Sequence, residues 1–194
     1  AGAGAVRGDH AGPARDLPDR DLIGAYTGAV PDDLRDRIRL LAAIDRERSV
    51  FGAHSHDYQL AAPLSDSELA ALEASYGELP AQYRQFVHTL GAYGAGPHYG
   101  LMPPHVPTSD TGVPDPAREV RCEPMPRGAH LLDGTLAIAE QGHGGRSLLV
   151  IRGPRAGEVW SDWTRDHGNV ALEASSMFRW YEQWLDRAML EWIE

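Results

Sequence analysis

"GAYGAGPHYG", residues 91–100, places four glycines and a proline in ten positions, with two tyrosines and a histidine among them. Such a stretch either cradles a phosphate or turns the chain, and the two readings imply different folds. A phosphate loop follows a strand and opens a helix, because the anion sits on the helix N-terminus. The residues before this stretch, "LPAQYRQFVHTLG", instead repeat Tyr83, Phe86, Val87 and Leu90 at helical spacing. Pro80 suits the first turn of that helix and Gly91 its end. The loop therefore follows a helix, whose carbonyl end repels phosphate. Gly94, Gly96 and Gly100 are spaced G-x-G-x-x-x-G, and no Lys-Ser/Thr pair follows. The stretch reads as a helix stop and a turn into "HYGLM", a short strand candidate. At least one of Gly94 and Gly96 is expected at positive φ, where a side chain would be strained.

Upstream, "LSDSELAALEASYG" begins with a capping box. Ser65 stands three residues before Glu68, and Leu64 and Leu69 occupy the staple positions. Leu69, Leu72 and Tyr76 share a face, and Gly77 can close the helix. Further back, "PDDLRDRIRLLAAIDRERS" sets Leu34, Ile38, Leu41 and Ala42 at helical spacing between charges, an amphipathic helix. Residues 1–30 are rich in Ala, Gly, Pro and Asp with little apolar periodicity, and read as a flexible tail.

Downstream, residues 103–130 contain Pro103, Pro104, Pro107, Pro114, Pro116, Pro124 and Pro126, a long loop-like excursion. Then come "TLAIAE", "SLLVIRG" and "GEVWSDW", separated by "QGHGG" and "GPRA", which read as an antiparallel meander. In "SSMFRWYEQWLDRAMLEWI", Phe178, Tyr181, Trp184, Leu185 and Ala188 form a helical stripe that packs most simply on the sheet. The expectation is an α+β fold, with one domain over residues 31–194.

The 194 residues suffice for one domain with a core. A formal net charge of −10 argues against a nucleic-acid binder. It suits a basic partner, and solubility alone would also explain it. No apolar run reaches the roughly 20 residues that span a bilayer, so no membrane role is expected. The N-terminus lacks the pattern of a signal peptide, and Cys122 is the sole cysteine. A cytoplasmic protein is the simplest expectation.

Candidate chemistry is sparse. In "HSHD", His54 and His56 on a strand would share a face and could chelate zinc, but no third ligand is named by the sequence. A surface pair near a helix junction is the competing reading. His88 reads as a partly exposed helix residue and His143 as a turn residue. No H-E-x-x-H, C-x-x-C or G-x-S-x-G occurs, and nothing marks a base for Cys122. No catalytic residue, metal or cofactor is therefore expected. Glu158, Trp160 and Asp162 alternate and would line one strand face as a polar binding rim, with Trp160 either core or anchor.

The stretch 51–103, with "LP..YR.F....G..GAGP.YGL" at its centre, resembles the first half of a SUKH domain, the superfamily of Smi1/Knr4. "AEQGHGG", the following apolar strand and "G.VW.D" resemble its second half, and "F..WYE.WLD" its closing helix. The likeness runs from residue 51 to about 188 and implies a helix-backed, antiparallel-rich sheet. Bacterial members resemble immunity proteins that neutralise a toxin domain, often a nuclease; eukaryotic relatives look like scaffolds of cell-wall assembly. The resemblance thus implies a bacterial, non-enzymatic protein binder with a cognate toxin domain as partner. The alternative is a scaffold recruited to a small molecule in a biosynthetic pathway, using His98, Tyr99 and Asp162. For the binder, Tyr93, His98, Tyr99, Glu158, Trp160, Asp162 and Trp163 are the expected contact residues, and the tail is expected to contribute little.

Overall fold

The computed structural model describes residues 33–104, 134–164 and 170–192. The expected tail, most of the proline-rich excursion, and Cys122 lie outside these residues. The element order is α1 (Asp33–Ile44), α2 (Ala53–His56), α3 (Asp66–Tyr76), α4 (Ala81–Thr89), β1 (Thr135–Gly142), β2 (Gly145–Val150), β3 (Val159–Asp162), β4 (Val170–Ala174) and α5 (Met177–Leu190). The four strands form one antiparallel sheet in the order β1-β2-β3-β4. The fold is α+β, a meander packed against helices.

Local signals account for most of these elements. The Ser65 side chain accepts from the Glu68 N–H while the Glu68 carboxylate accepts from the Ser65 N–H, so the capping box is closed. Gly77 ends α3 at φ 73. α4 starts one residue after Pro80 and buries Tyr83, Phe86 and Val87. The β1–β2 hairpin turns through His143 and Gly144, both at positive φ, which matches the twist of the strands they join. β4, absent from the expectations, pairs with β3. Its sequence, "VALEA", is too short for its alternation to stand out.

One face of the sheet, with Leu136, Ile138, Leu149 and Val159, joins the helical stripes in a single core. Its centre is α5, whose Phe178, Tyr181, Trp184, Leu185 and Ala188 are all buried. Tyr181 packs edge-on against Phe86 and Trp184. Burying a side chain of this size stabilises by about 1.5–3 kcal/mol. The Tyr181 hydroxyl donates to the Ala95 carbonyl at 2.8 Å, which ties the glycine turn to the core. Burial pushes that hydroxyl well above its ordinary pKa, so it stays a neutral donor.

A second tie lies beneath α1. Asp45 is fully buried and accepts from Ser49 N–H, Ser49 Oγ, Val50 N–H and the Tyr58 hydroxyl. Burial alone would raise this carboxyl. The hydrogen bonds, led by that of Tyr58, outweigh it and hold the pKa below its usual value.

Candidate functional site

The glycine turn is held on two sides by backbone. Ala95 N–H donates to Gln59 O and Ala61 N–H to Tyr93 O; on the far side, Tyr99 N–H donates to Glu140 O and Met102 N–H to Ile138 O. Gly94 and Leu101 exchange hydrogen bonds across the turn. The "HYGLM" strand candidate is thus realised only as isolated bridges, Leu101 pairing with both Gly94 and Ala139. Gly94 takes φ 107, and a methyl group there would stand 2.2 Å from Gln59 O. Gly96 is not among the positive-φ residues. His98, however, takes φ 57, a conformation that side-chain-bearing residues seldom adopt.

This locked backbone sets an aromatic surface. Gly52, the N-cap of α2, abuts the His98 carbonyl so closely that a methyl group would overlap it at 1.5 Å. That approach brings the Phe51 and Tyr99 rings to 5.3 Å. Phe51, Tyr93 and Tyr99 are 61%, 46% and 44% exposed, far above the core aromatics. Tyr93 and Tyr99 line a shallow depression of about 420 Å³ with Gln59 and Leu60. Phe51 carried no signal in the sequence, because its place beside Tyr99 depends on the Gly52 approach.

His56 lies beneath this surface. It is 8% exposed and packs against Tyr58 and Trp184. Its Nδ1 accepts from the Tyr58 N–H, which leaves the proton on Nε2. Burial lowers its pKa to about 4, against a smaller upward pull from Asp57 and the Gly96 carbonyl and a further lowering by Arg48. Neither reading of the "HSHD" pair holds. The segment is helical, so His54 and His56 do not share a face, and only His54 is exposed. Among the described residues, no three metal-ligating side chains are grouped.

The β3 candidates are differently placed. Trp160 Nε1–H donates to the Glu158 carboxylate at 2.8 Å, and the Arg155 guanidinium lies 5.2 Å from the Trp160 ring centre. Asp162 is buried and accepts from both the N–H and the hydroxyl of Thr164. It is therefore no rim residue. Trp163 lies against Gly145, where a methyl group would meet its ring at 2.7 Å. Leu172 of β4, paired with Trp160 of β3, is exposed.

His98 is parted from Tyr99 despite their adjacency. It lines a cleft of about 450 Å³ with Glu173, Trp180, Gln183, Asp186 and Arg187. Burial lowers the His98 pKa; Glu173 pulls it up and Arg187 pushes it further down. Glu173, missed in the sequence together with β4, accepts from Gln141, Ser147 and Trp180. His98, Tyr99 and Asp162 thus do not line a common cleft.

The fold defines an α+β domain whose meander packs on helices and whose glycine turn presents aromatic side chains. The SMI1 / KNR4 family (SUKH-1) matches residues 63–183. The chain belongs to that family, and the match spans the capping box, the glycine turn, all four strands and the first half of α5. Comparison with curated proteins and with solved structures returned no match. Among the described residues, no helix is long and apolar enough to cross a membrane.

Proposed function

We propose that the protein is a non-enzymatic binding domain of the immunity type, which neutralises a nuclease-like toxin domain by covering part of its surface. The observation that carries this reading is the exposed trio of Tyr93 and Tyr99 on the backbone-locked turn and Phe51 packed against Tyr99. Aromatic side chains dominate binding energy at interfaces, and a rigid platform loses little ordering entropy on association. The net charge of −10 supports the choice of partner, since an acidic inhibitor is steered toward a basic nuclease. Glu158, partly exposed, and the exposed acids serve steering, while His98, Trp160 and Trp163 flank the contact.

The experiment is titration calorimetry of the full chain against a nuclease-type toxin domain, taken from a neighbouring gene where one encodes it, with inhibition of the toxin's activity as the second readout. One-to-one binding with loss of toxin activity is expected. Deleting residues 1–30 should leave the affinity within about threefold, under roughly 0.7 kcal/mol. A folded chain that neither binds nor inhibits would refute the reading.

A further inference from the structure

The cleft between the glycine turn and α5 holds a charge that the described fold leaves open. Glu173 lies on β4, and its side chain is only 18% exposed. Oε1 accepts from Gln141 Nε2; Oε2 accepts from Ser147 Oγ at 3.0 Å and from Trp180 Nε1 at 2.6 Å. All three donors are neutral. A carboxylate offers about four acceptor positions, so one remains. Among the described residues, the one basic nitrogen within ion-pair distance is His98 Nε2 at 3.9 Å, beyond hydrogen-bond reach. Burial lowers that ring's pKa, against an upward pull from Glu173.

Asp186 is paired with Arg37. Arg187 lines the same cleft and its charge reaches His98, but its Nε donates to the Gln183 carbonyl on its own helix, and among the described residues no ion pair joins it to Glu173. His98 is turned to the cleft by a backbone at φ 57, which is strain of the kind that gathers at binding sites. The carboxylate is held rigidly, is partly desolvated and lies at the edge of an open volume of about 450 Å³. In such a place a charge-assisted hydrogen bond is stronger than at an open surface.

We propose that this cleft is an acceptor for one cationic side chain, lysine or arginine, which projects from the protein partner and donates to Glu173 beside the Trp180 indole. The identity of the donor rests on the binding reading above; the acceptor chemistry does not. A basic nuclease surface would supply such a group. The cleft would then fix its register, while the aromatic trio supplies apolar contact.

The Trp180 indole N–H reports the site directly, because it shares Glu173 with the incoming cation. Two-dimensional ¹⁵N NMR of the full chain would follow it, assigned by the spectrum of Trp180→Phe. The probes are Nα-acetyl-arginine amide, Nα-acetyl-lysine amide and the neutral Nα-acetyl-citrulline amide. A saturable shift of the Trp180 indole is expected with a cationic probe, half-complete on the order of 10 mM, as befits one charged hydrogen bond. Whichever of the arginine and lysine probes binds tighter names the side chain. No shift with either, or an equal shift with citrulline, would overturn the acceptor. In folded Glu173→Gln the cationic shift should vanish and affinity for the toxin domain should fall at least tenfold. Loss of the probe response with unchanged toxin affinity would overturn the placement in the interface and leave the acceptor standing. Failure of the unaltered chain to bind the toxin, with the probe response intact, would instead overturn the inhibitor reading.

Discussion

The glycine turn, residues 91–102, and β3 with its flanks, residues 158–164, carry similar side chains and spend them differently. Around β3 the polar groups satisfy one another. Glu158 accepts from the Trp160 indole, Arg155 covers the Trp160 ring, and Asp162 is used by Thr164. In the turn, the backbone does the bonding, to residues 59–61 on one side and 138–140 on the other. Tyr93 and Tyr99 are left exposed. Aromatic and acidic residue types are therefore a poor guide by themselves; what matters is whether their bonding capacity is already used.

The sharpest test of this difference is Gly94→Ala against Gly157→Ala. Both glycines have strongly positive φ, 107 and 98. At Gly94 the added methyl stands 2.2 Å from Gln59 O, whereas at Gly157 the nearest heavy atom is 4.0 Å away. Gly94→Ala should cost about 3 kcal/mol or more in urea denaturation. Gly157→Ala should cost about 1–2 kcal/mol, from the backbone conformation alone. Equal losses would mean that the turn is not the tighter of the two regions.

The next effect is on pH dependence. His56, beneath the turn, has its folded pKa lowered from 6.5 to about 4. Between these values the unfolded chain binds a proton that the folded chain refuses. Stability is therefore complete above pH 6.5 and falls as the pH drops toward 4, by about 3 kcal/mol in all. His98, also lowered, adds to the same slope, while Asp45 acts only below its usual carboxylate value. Denaturation midpoints measured from pH 7.5 to 4 should show this decline. His56→Phe should flatten it, and a profile as steep as that of the unaltered chain would remove His56 from the account.

At the proposed interface, Tyr99→Ala should weaken toxin binding about tenfold or more, roughly 1.4 kcal/mol, while Trp160→Ala should change it less than threefold. Surface plasmon resonance on both variants decides this. The reverse ranking would move the working surface to the outer face of β3. The smallest effect concerns Glu158→Gln, which keeps an acceptor for the Trp160 indole and loses only a partly exposed ion pair with Arg155. Thermal unfolding should place it within about 0.5 kcal/mol of the unaltered chain.

Much of the architecture was legible in local pattern. The Ser65–Glu68 box, the Tyr83–Leu90 stripe and the Phe178–Ala188 stripe each announce a helix through neighbours three and four residues apart, and each is observed. The hairpin at His143–Gly144 is equally local. The surroundings of the candidate residues were legible only in part. Tyr93 and Tyr99 stand exposed on the turn, but Asp162 is buried by its own Thr164 turn, and Glu173 went unseen with β4. His56 passed for a metal or surface residue because sequence spacing does not say which side of a short helix meets the core.

What the sequence determined by itself is the set of elements whose causes lie within a few residues: helix caps, apolar stripes, glycine stops and hairpin turns. Local sterics and hydrogen bonding suffice to select them. The tertiary structure alone decided which side chains remain available. Phe51 meets Tyr99 across 48 residues because Gly52 lets two backbones touch. Gln141 and Trp180 converge on Glu173 only once β1, β4 and α5 have packed. Availability depends on contacts between distant parts of the chain, and no local pattern encodes those contacts.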